Sequence, residues 1–227
     1  MKPTLFILIF LAFTSLALSV PPGPAVAVVS KVILDVQHKE VDRDWTKAQR
    51  GETLSSGDRV KTGSKSVAVV KFKDNSLVRV REESELTVTG ESRNSAFSKS
   101  VNVQKGAVGF NIQKQNPDEE FRFTSPTSVA SIRGTGGKFS SHEDSDTLVV
   151  TEGVVEFTNQ RSSQSVEVRA GFTAISRPDG TIESRPSTPE ERSEALQSSR
   201  KAEQDNKMEF EFRDNRGNKK ELKIDYK

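Results

Sequence analysis

Residues 103–110 read VQKGAVGF and residues 150–157 read VTEGVVEF, so the pattern Val-x-x-Gly-x-Val-x-Phe occurs twice in this chain. A weaker third copy, VRAGFTAI, lies at residues 168–175. The alternation of apolar residues is typical of a half-buried strand, and each copy has a glycine inside that pattern. Such a glycine usually marks a bulge or a corner where two backbones approach closely. The copies are unevenly spaced, so they do not define a repeat of fixed length.

Short alternating segments continue outward from these copies, from about residue 26 to residue 175, and Gly, Asn, Asp and Ser separate them. This pattern predicts an all-β domain of short strands. Strands that turn corners at glycine and then continue favour a solenoid-like wrap, while a barrel-like wrap or a simple sandwich is also compatible. Residues 93–100 and 113–120 are polar, and we expect them to be exposed loops.

The composition excludes several kinds of chemistry. The chain has no Cys, so it cannot contain a disulfide, a thiol nucleophile or a Cys-ligated zinc. It has only two His residues, which cannot form a multi-histidine metal site within one chain. The formal net charge of +2 gives no field that indicates a nucleic acid as the partner.

The N-terminal segment has the features of an export signal. Lys2 precedes an apolar run from Leu5 to Leu18, and small residues follow before Pro21. This predicts a secretory signal peptide at residues 1–19, cleaved near Ser19/Val20. A retained membrane anchor is the alternative, although a spanning helix needs about 20 apolar residues. Both interpretations place the rest of the chain outside the cytoplasm, and no further apolar stretch predicts a membrane span after cleavage.

The C-terminal tail, residues 188–227, is rich in charges. Its first residues, 188–191, read TPEE, in which Thr188 can cap a helix and Glu191 completes a capping box. We expect this helix to run to about Gln204. Segments 208–212 and 222–226 then alternate around a turn, which predicts a β-hairpin.

An isolated hairpin is only marginally stable in water. We therefore expect the apolar face of the predicted hairpin to dock either on the body of the protein or on another protein. In the second case the contact residues are Phe210, Phe212, Ile224 and Tyr226.

No segment predicts a catalytic site. The glycine-rich residues 133–138 lack the spacing of a phosphate-binding loop. Residues 141–146, SHEDSD, are predicted to be a solvated hairpin turn, because neighbours in sequence rarely meet as a catalytic triad. The carboxylate runs at 82–83 and 118–120 lie in polar turns, without a cleft for a glycosidase. We predict a noncatalytic protein with no cofactor and no metal site.

Three ordered stretches carry a family resemblance. The first is Gly51-x-x-Leu54-x-x-Gly57-Asp58-x-Val60-x-Thr62-Gly63-x-x-Ser66. The second is Thr124-Ser125-Pro126, followed by Ala130-Ser131-Ile132-Arg133-Gly134-Thr135, and the third is Glu152-Gly153-Val154-Val155-Glu156 with Ala170-Gly171. In this order and spacing they resemble the FecR domain, named for the regulator of ferric-citrate transport. Asp74-Asn75-Ser76-Leu77 stands where that family often has an Asp-Gly-Ser turn.

Together with the patterns described above, the resemblance predicts five segments: a signal peptide (1–19), a lead-in and first strand (20–44), a FecR-like β domain (45–175), a linker (176–187) and a helix-and-hairpin tail (188–227). The motif residues that we expect to serve structure or interaction are Gly57, Asp58, Thr62, Gly63, Arg133, Gly134, Thr135 and Gly153. A guanidinium at Arg133 can be held by a carboxylate or by loop carbonyls. Our hypothesis is that Arg133 pairs with Asp58 and joins two distant turns, and the alternative is that Arg133 faces a partner.

The family's namesake type has a cytoplasmic segment that binds a sigma factor, one membrane span and a periplasmic FecR domain. Only Met1 to Thr4 precede the apolar run here, so we do not expect a sigma-factor contact. The resemblance implies an exported protein-interaction or signal-sensing module in the bacterial periplasm or cell envelope, with an unidentified envelope protein as partner. The alternative is a structural protein that binds envelope polysaccharide or peptidoglycan.

Overall fold

The computed structural model describes residues 25–93, 96–199, 207–213 and 219–225 of the 227-residue chain. In these ranges it contains one helix, α1, and the strands β1 (Ala25–Ile33), β2 (Val36–Lys39), β3 (Thr46–Lys47), β4 (Thr53–Ser55), β5 (Arg59–Thr62), β6 (Val67–Phe72), β7 (Leu77–Val80), β8 (Glu85–Arg93), β9 (Ala96–Asn111), β10 (Phe121–Thr124), β11 (Ser128–Ile132), β12 (Gly136–Ser141), β13 (Asp146–Glu152), β14 (Val154–Asn159), β15 (Ser165–Arg169), β16 (Phe172–Ser176), β17 (Ile182–Pro186), β18 (Lys207–Arg213) and β19 (Lys219–Asp225). Helix α1 comprises Pro189–Ser199.

The strands form two layers that share the long strand β9. One layer has the order β4-β1-β6-β7-β9-β12-β13-β16-β17, and we call it the helix-side sheet. The other has the order β3-β2-β5-β8-β9-β10-β11-β14-β15, and we call it the open sheet. Neither layer closes into a barrel, so the predicted all-β wrap is a two-layer one.

The chain passes repeatedly between the two layers, and the glycines of the Val-x-x-Gly-x-Val-x-Phe pattern lie at the crossings. Gly106 divides β9, Gly153 separates β13 from β14, and Gly171 separates β15 from β16. Their φ angles are 88°, 81° and 86°, a region that side chains with a Cβ atom rarely adopt. The prediction that these glycines mark corners is confirmed. Further residues with positive φ stand at other crossings: Leu34, Gly51, Gly57, Lys65, Glu83 and Gly134.

The space between the layers is filled by one apolar cluster, to which both sheets contribute every second residue. A continuous row of phenylalanine rings runs through it, with centroids 4.9 to 6.3 Å apart: Phe72–Phe121, Phe121–Phe123, Phe110–Phe123, Phe123–Phe139 and Phe139–Phe157. Phe72, Phe110 and Phe139 come from the helix-side sheet, and the other three come from the open sheet. Burial of these rings is the main attraction between the layers.

Helix α1 lies on the outer face of the helix-side sheet and crosses its strands. The capping box is confirmed, because the Thr188 amide donates to Glu191 Oε2 (2.8 Å) and the Glu191 amide donates to Thr188 Oγ1 (3.2 Å). Residues 200–204, into which we expected the helix to continue, lie outside the described ranges. The helix buries Ala195 and Ser198, and it packs on β7, β9, β12 and β13.

Strands β18 and β19 pair antiparallel, as the alternating tail sequence predicts. Their register places Met208 opposite Ile224 and Phe210 opposite Leu222. The side chains of both strands, and the whole of Tyr226, lie outside the described part of the structure. The predicted partner contacts at Phe210, Phe212, Ile224 and Tyr226 therefore stay predictions.

The structure corrects three boundaries. Residues 176–187, which we assigned to a linker, contain β17, which pairs with β16 along Phe172–Ser176. Its apolar alternation is weak because it is an edge strand. The lead-in 20–44 supplies two strands and the core residues Val26, Val29 and Val36. Residues 96–100, which we expected to belong to an exposed loop, are the beginning of β9, and Lys99 is 4% exposed.

Candidate interaction surface

The first group of motif residues fixes a corner between the two sheets. Asp58 is buried, and its Oδ2 accepts hydrogen bonds from the Ser55 amide (2.8 Å) and from His38 Nε2 (3.3 Å). The other ring nitrogen of the buried His38 lies 3.0 Å from Glu52 Oε1. Because Asp58 is engaged here, strand β2 and the chain that follows it are held against the β4–β5 corner.

The predicted pairing of Arg133 with Asp58 is wrong. The Arg133 guanidinium is exposed and donates instead to the backbone carbonyls of Asn116 and Pro117. The sequence analysis also allowed loop carbonyls to hold the Arg133 guanidinium, and the structure shows that arrangement. Arg133 thus ties the corner between β11 and β12 to the neighbouring loop, far from the corner that holds Asp58.

The remaining motif residues also act in packing. Thr62 Oγ1 donates to the carbonyl oxygens of Arg81 and Ser84 and accepts from the Ser84 amide (3.1 Å), while the Gly63 amide donates to the Asp35 carbonyl (2.9 Å). At the opposite corner, a Cβ atom on Gly153 would lie 2.3 Å from Thr135 Cγ2.

The predicted site residues therefore lie in three corners rather than in one site. Gly57 and Asp58 lie between β4 and β5, Thr62 and Gly63 lie at the other end of β5, and the third corner contains Arg133, Gly134, Thr135 and Gly153.

Sequence reasoning missed a buried polar cluster next to the Thr124-Ser125-Pro126 motif. Asp146 is completely buried, and its Oδ2 accepts hydrogen bonds from Ser128 Oγ (2.6 Å) and from Ser125 Oγ. The SHEDSD segment was expected to be solvated, and residues 142–144 are exposed, but Asp146 faces inward. It begins β13 opposite Ser141, a position that the sequence does not reveal because charges usually mark the turn itself.

A groove of about 550 Å³ opens at the β2–β3 end of the open sheet. Its walls are formed by Leu34, Asp35, Gln37, Trp45, Thr46 and Lys47. Leu34 is 64% exposed and has a φ of 59°, which is unusual for a bulky residue. Strained backbone and an exposed large apolar side chain at one position are both features of binding sites.

Trp45 is the central side chain of this groove. It is partly exposed, and Lys61 Nζ lies 4.3 Å from the centre of its ring. The guanidinium of Arg59 lies 5.3 Å from the same ring, and Arg59 also forms an ion pair with Glu85. These cation–π contacts fix the ring while leaving part of it open to a partner.

Two residues of the FecR-type motif, Gly57 and Asp58, support the segment that forms this groove. A Cβ atom on Gly57 would lie 2.7 Å from Val41 Cγ2, so glycine at this position lets the segment between β2 and β3 pack closely. His38, held by Asp58, sets the course of β2 into the same segment. The sequence alone does not assign Trp45 to a surface, because the neighbours of its ring, Arg59 and Lys61, come from another strand.

The outer face of the open sheet also carries a row of polar side chains. Gln104 Nε2 donates to Thr87 Oγ1 (2.7 Å) and to Asn102 Oδ1 (2.8 Å), and Asn102 Nδ2 donates to Thr124 Oγ1 (2.9 Å). These side chains project from neighbouring strands and are partly exposed. Such a prearranged polar surface can meet a partner without much loss of side-chain freedom.

Basic side chains concentrate beside the groove. The register places Lys61 opposite Gln37, Gln37 opposite Lys47, and Lys39 opposite Arg59. Across the sheet, Glu156 stands opposite Glu167 on β14 and β15. In between, the Arg122 hydrogen bond to Glu120 lowers the pKa of that carboxyl below its usual value, which keeps the pair charged.

In the described ranges, no group of three or more His, Asp and Glu side chains is placed to hold a metal ion. Nor do these ranges contain a helix with the length and apolar content required to cross a membrane.

Comparison with known proteins agrees with the motif pattern. The FecR protein family model matches residues 58–156, which include the second motif stretch, residues 152–156 of the third and the end of the first. This match confirms the predicted resemblance to the FecR domain. No curated protein sequence matches the chain. The matched region is extended by β1–β4 before it and by β15–β17 and α1 after it, because these elements complete the same two sheets.

Two crystal structures of a proposed anti-sigma factor from Parabacteroides distasonis ATCC 8503 have a similar fold. For each, the TM-score is 0.51 at 13% sequence identity, and the match covers 61% of this chain. It spans 64% of the Parabacteroides protein, so about a third of that protein has no counterpart in the comparison. At this identity the likeness concerns the fold alone.

Proposed function

We propose that this protein is an exported, noncatalytic regulatory module that acts through protein contacts in the bacterial cell envelope. The observation that carries the proposal is the groove around Trp45, which the FecR motif residues Gly57 and Asp58 position at the edge of the open sheet. The FecR family and the similarity to a proposed anti-sigma factor support a role in signalling. Export rests on the predicted signal peptide at residues 1–19.

The composition of the groove fits a protein partner. Trp and Arg are enriched at the centres of protein interfaces, and an exposed Leu34 adjacent to Trp45 supplies an apolar anchor. Lys47 and Lys61 flank these residues and would favour acidic groups at the rim of the partner. The motif residues themselves are mostly buried in corners, so they support this surface rather than form it.

Affinity capture from the envelope of the source cell tests the proposal. The baits are residues 20–227 unchanged, the same chain with Trp45→Ala and Lys61→Glu, and a control with Glu143→Lys in the exposed β12–β13 turn. We expect one protein to be retained by the unchanged and control baits and lost with the groove variant. Equal retention by all three baits would contradict the groove as the contact.

Binding to envelope polysaccharide or peptidoglycan is the alternative, and the polar row of Thr87, Gln104, Asn102 and Thr124 is the observation that favours it. Hydroxyl and amide groups on a flat sheet face can hydrogen-bond to a long glycan. Co-sedimentation with isolated sacculi distinguishes the two. Retention on sacculi without a captured protein would replace the proposed function with this alternative.

A further inference from the structure

Almost every buried apolar side chain of the described body belongs to the core between the two sheets, and the exceptions are informative. Val69, Val149 and Ala195 are buried, but they lie outside the core cluster. Val149 is on the outer face of the helix-side sheet, and α1, which carries Ala195, packs on its strand β13. The helix therefore accounts for two of the three.

Val69 is on the same outer face, outside the strands on which α1 packs. The register aligns Val69 with Arg79, Arg79 with Gly109, and Gly109 with Lys138, which places them in one row across the sheet. Gly109 lies directly under the end of the helix, since a Cβ atom there would be 1.9 Å from the Ser198 carbonyl oxygen. Val69 is 1% exposed although it lies beyond the strands on which α1 packs, so this row is covered beyond the helix as well.

The direction of α1 indicates which segment provides that cover. Its first turn contacts Thr173 on β16 through Glu191, its middle pairs Glu194 with Lys138 on β12, and its last turn reaches Gly109 on β9. The helix thus runs across the sheet toward β7, β6 and β1. Residues 200–206 follow, and seven extended residues reach about 23 Å. Three further strands span only about 15 Å.

The hairpin at the end of this connection has the matching chemistry. Its register pairs Met208 with Ile224 and Phe210 with Leu222, and residues directly opposite each other in an antiparallel pair share a face. Strands β1, β6 and β7 have apolar residues at outward positions: Val28, Ile33, Val67, Val69 and Leu77.

We propose that the C-terminal hairpin, β18–β19, docks in its own chain on the outer face of β7, β6 and β1, and continues the cover that α1 begins. The tail is then a two-part strap over the helix-side sheet, with its apolar residues turned inward rather than presented to a partner. This docking concerns the sheet face opposite the Trp45 groove. Its failure would therefore leave the proposed function untouched, and the reverse also holds.

The absence of Cys from the chain allows a direct test by thiol accessibility. Three full-length variants each carry one thiol: Val69→Cys beneath the proposed strap, Val149→Cys beneath α1, and Val129→Cys at a partly exposed outward position on the open sheet. Each is compared with the same variant carrying Phe210→Asp and Phe212→Asp. The probe is a soluble maleimide, and the measured quantity is the labelling rate.

We expect the thiol at position 69 to label slowly in the unchanged tail and roughly tenfold faster or more with the two Asp substitutions. The thiols at positions 149 and 129 should keep their rates, which shows that neither α1 nor the body has opened. Fast labelling at position 69 with the unchanged tail, or the same slow rate with the altered tail, would overturn the proposal. Loss of protection on dilution would also overturn it, because the cover would then be a second copy of the chain.

Discussion

The outer faces of the two sheets differ, although the same alternation of residues forms both. The helix-side sheet carries Val69 and Val149 at outward positions, and both are buried. The open sheet carries Thr87, Asn102, Gln104 and other polar residues outward, and they stay partly exposed. An antiparallel sheet can have one face in water only when that face is polar. The difference teaches that a layer needs a cover where its outward positions are apolar, and α1 supplies part of that cover on the helix-side sheet.

The largest expected loss of stability comes from Asp74→Asn. Asp74 connects the two sheets, so this substitution affects both of them at once. Asp74 Oδ2 accepts from Lys99 Nζ (2.8 Å) and Gln115 Nε2 (2.9 Å), and Lys99 is almost fully buried. The variant leaves a buried charge without its partner, so we expect a loss of about 3 kcal/mol in the free energy of unfolding by chemical denaturation. Adding Lys99→Met should restore part of it. A loss below about 1 kcal/mol would contradict this role.

The same pair predicts a pH dependence. Burial alone would raise the pKa of Asp74, but the hydrogen bonds from Lys99, Gln115 and Ser76 outweigh it and lower the pKa below 3.8. A lowered pKa in the folded state stabilises the fold above that value, and the contribution is lost as the pH falls below it. The Asp74→Asn variant should lack this part of the acid sensitivity.

Gly109→Ala tests the difference between the outer face of the helix-side sheet, which α1 covers, and the outer face of the open sheet. A Cβ atom at this position would lie 1.9 Å from the Ser198 carbonyl oxygen, so α1 must move away from the sheet. We expect a loss of about 2 kcal/mol and faster hydrogen exchange in α1. Ser100→Ala, on the same strand but facing outward from the open sheet, should stay within about 0.5 kcal/mol of the unchanged protein. Equal losses in the free energy of unfolding for Gly109→Ala and Ser100→Ala would contradict the proposed difference between the two outer faces.

Glu191→Gln tests the polar attachment of the helix. Hydrogen bonds from Arg185, with contributions from Thr188 and Thr173, lower the pKa of Glu191 to about 2, against the desolvation that would raise it. The attachment is therefore complete above pH 4.5 and weakens as the pH falls toward about 2. We expect Glu191→Gln to cost about 1–2 kcal/mol at neutral pH and to flatten this acid dependence in thermal melts. An unchanged acid dependence in the Glu191→Gln variant would contradict the role of Glu191 in attaching α1.

The smallest effect is expected on the open sheet. Arg122 is about half exposed and pairs with Glu120 at the surface. Exposed ion pairs contribute little, so Arg122→Gln should change the free energy of unfolding by less than about 0.5 kcal/mol. A loss comparable to that of Glu191→Gln would mean that the outer face of the open sheet is covered too. Denaturation under matched conditions provides the measurement.

Several features were predictable from the sequence because short-range sterics and hydrogen bonding fix them. A glycine inside a strand pattern predicted the corner at Gly106, where a φ of 88° excludes most other residues. The capping box between Thr188 and Glu191 needs only residues three positions apart. The alternation of the tail predicted the pairing of β18 with β19.

Other features depended on contacts between distant residues, and the sequence misled us there. Arg133 and Asp58 looked like a pair because both belong to one motif set, but they occupy different corners. Asp146 looked solvated within an acidic run, yet the register of β12 and β13 turns it toward two serines. Trp45 gave no signal of its position because its neighbours, Arg59 and Lys61, come from another strand.

The sequence by itself determined that the chain turns at glycine corners such as Gly106 and how α1 begins, because backbone sterics and neighbouring hydrogen bonds decide those properties locally. Only the tertiary structure decided which sheet each strand joins, which outer face lies beneath α1 and where a groove forms around Trp45. The physical reason is that burial is a property of surfaces assembled from distant strands. An outward valine such as Val69 has the same sequence pattern whether water or another element covers it.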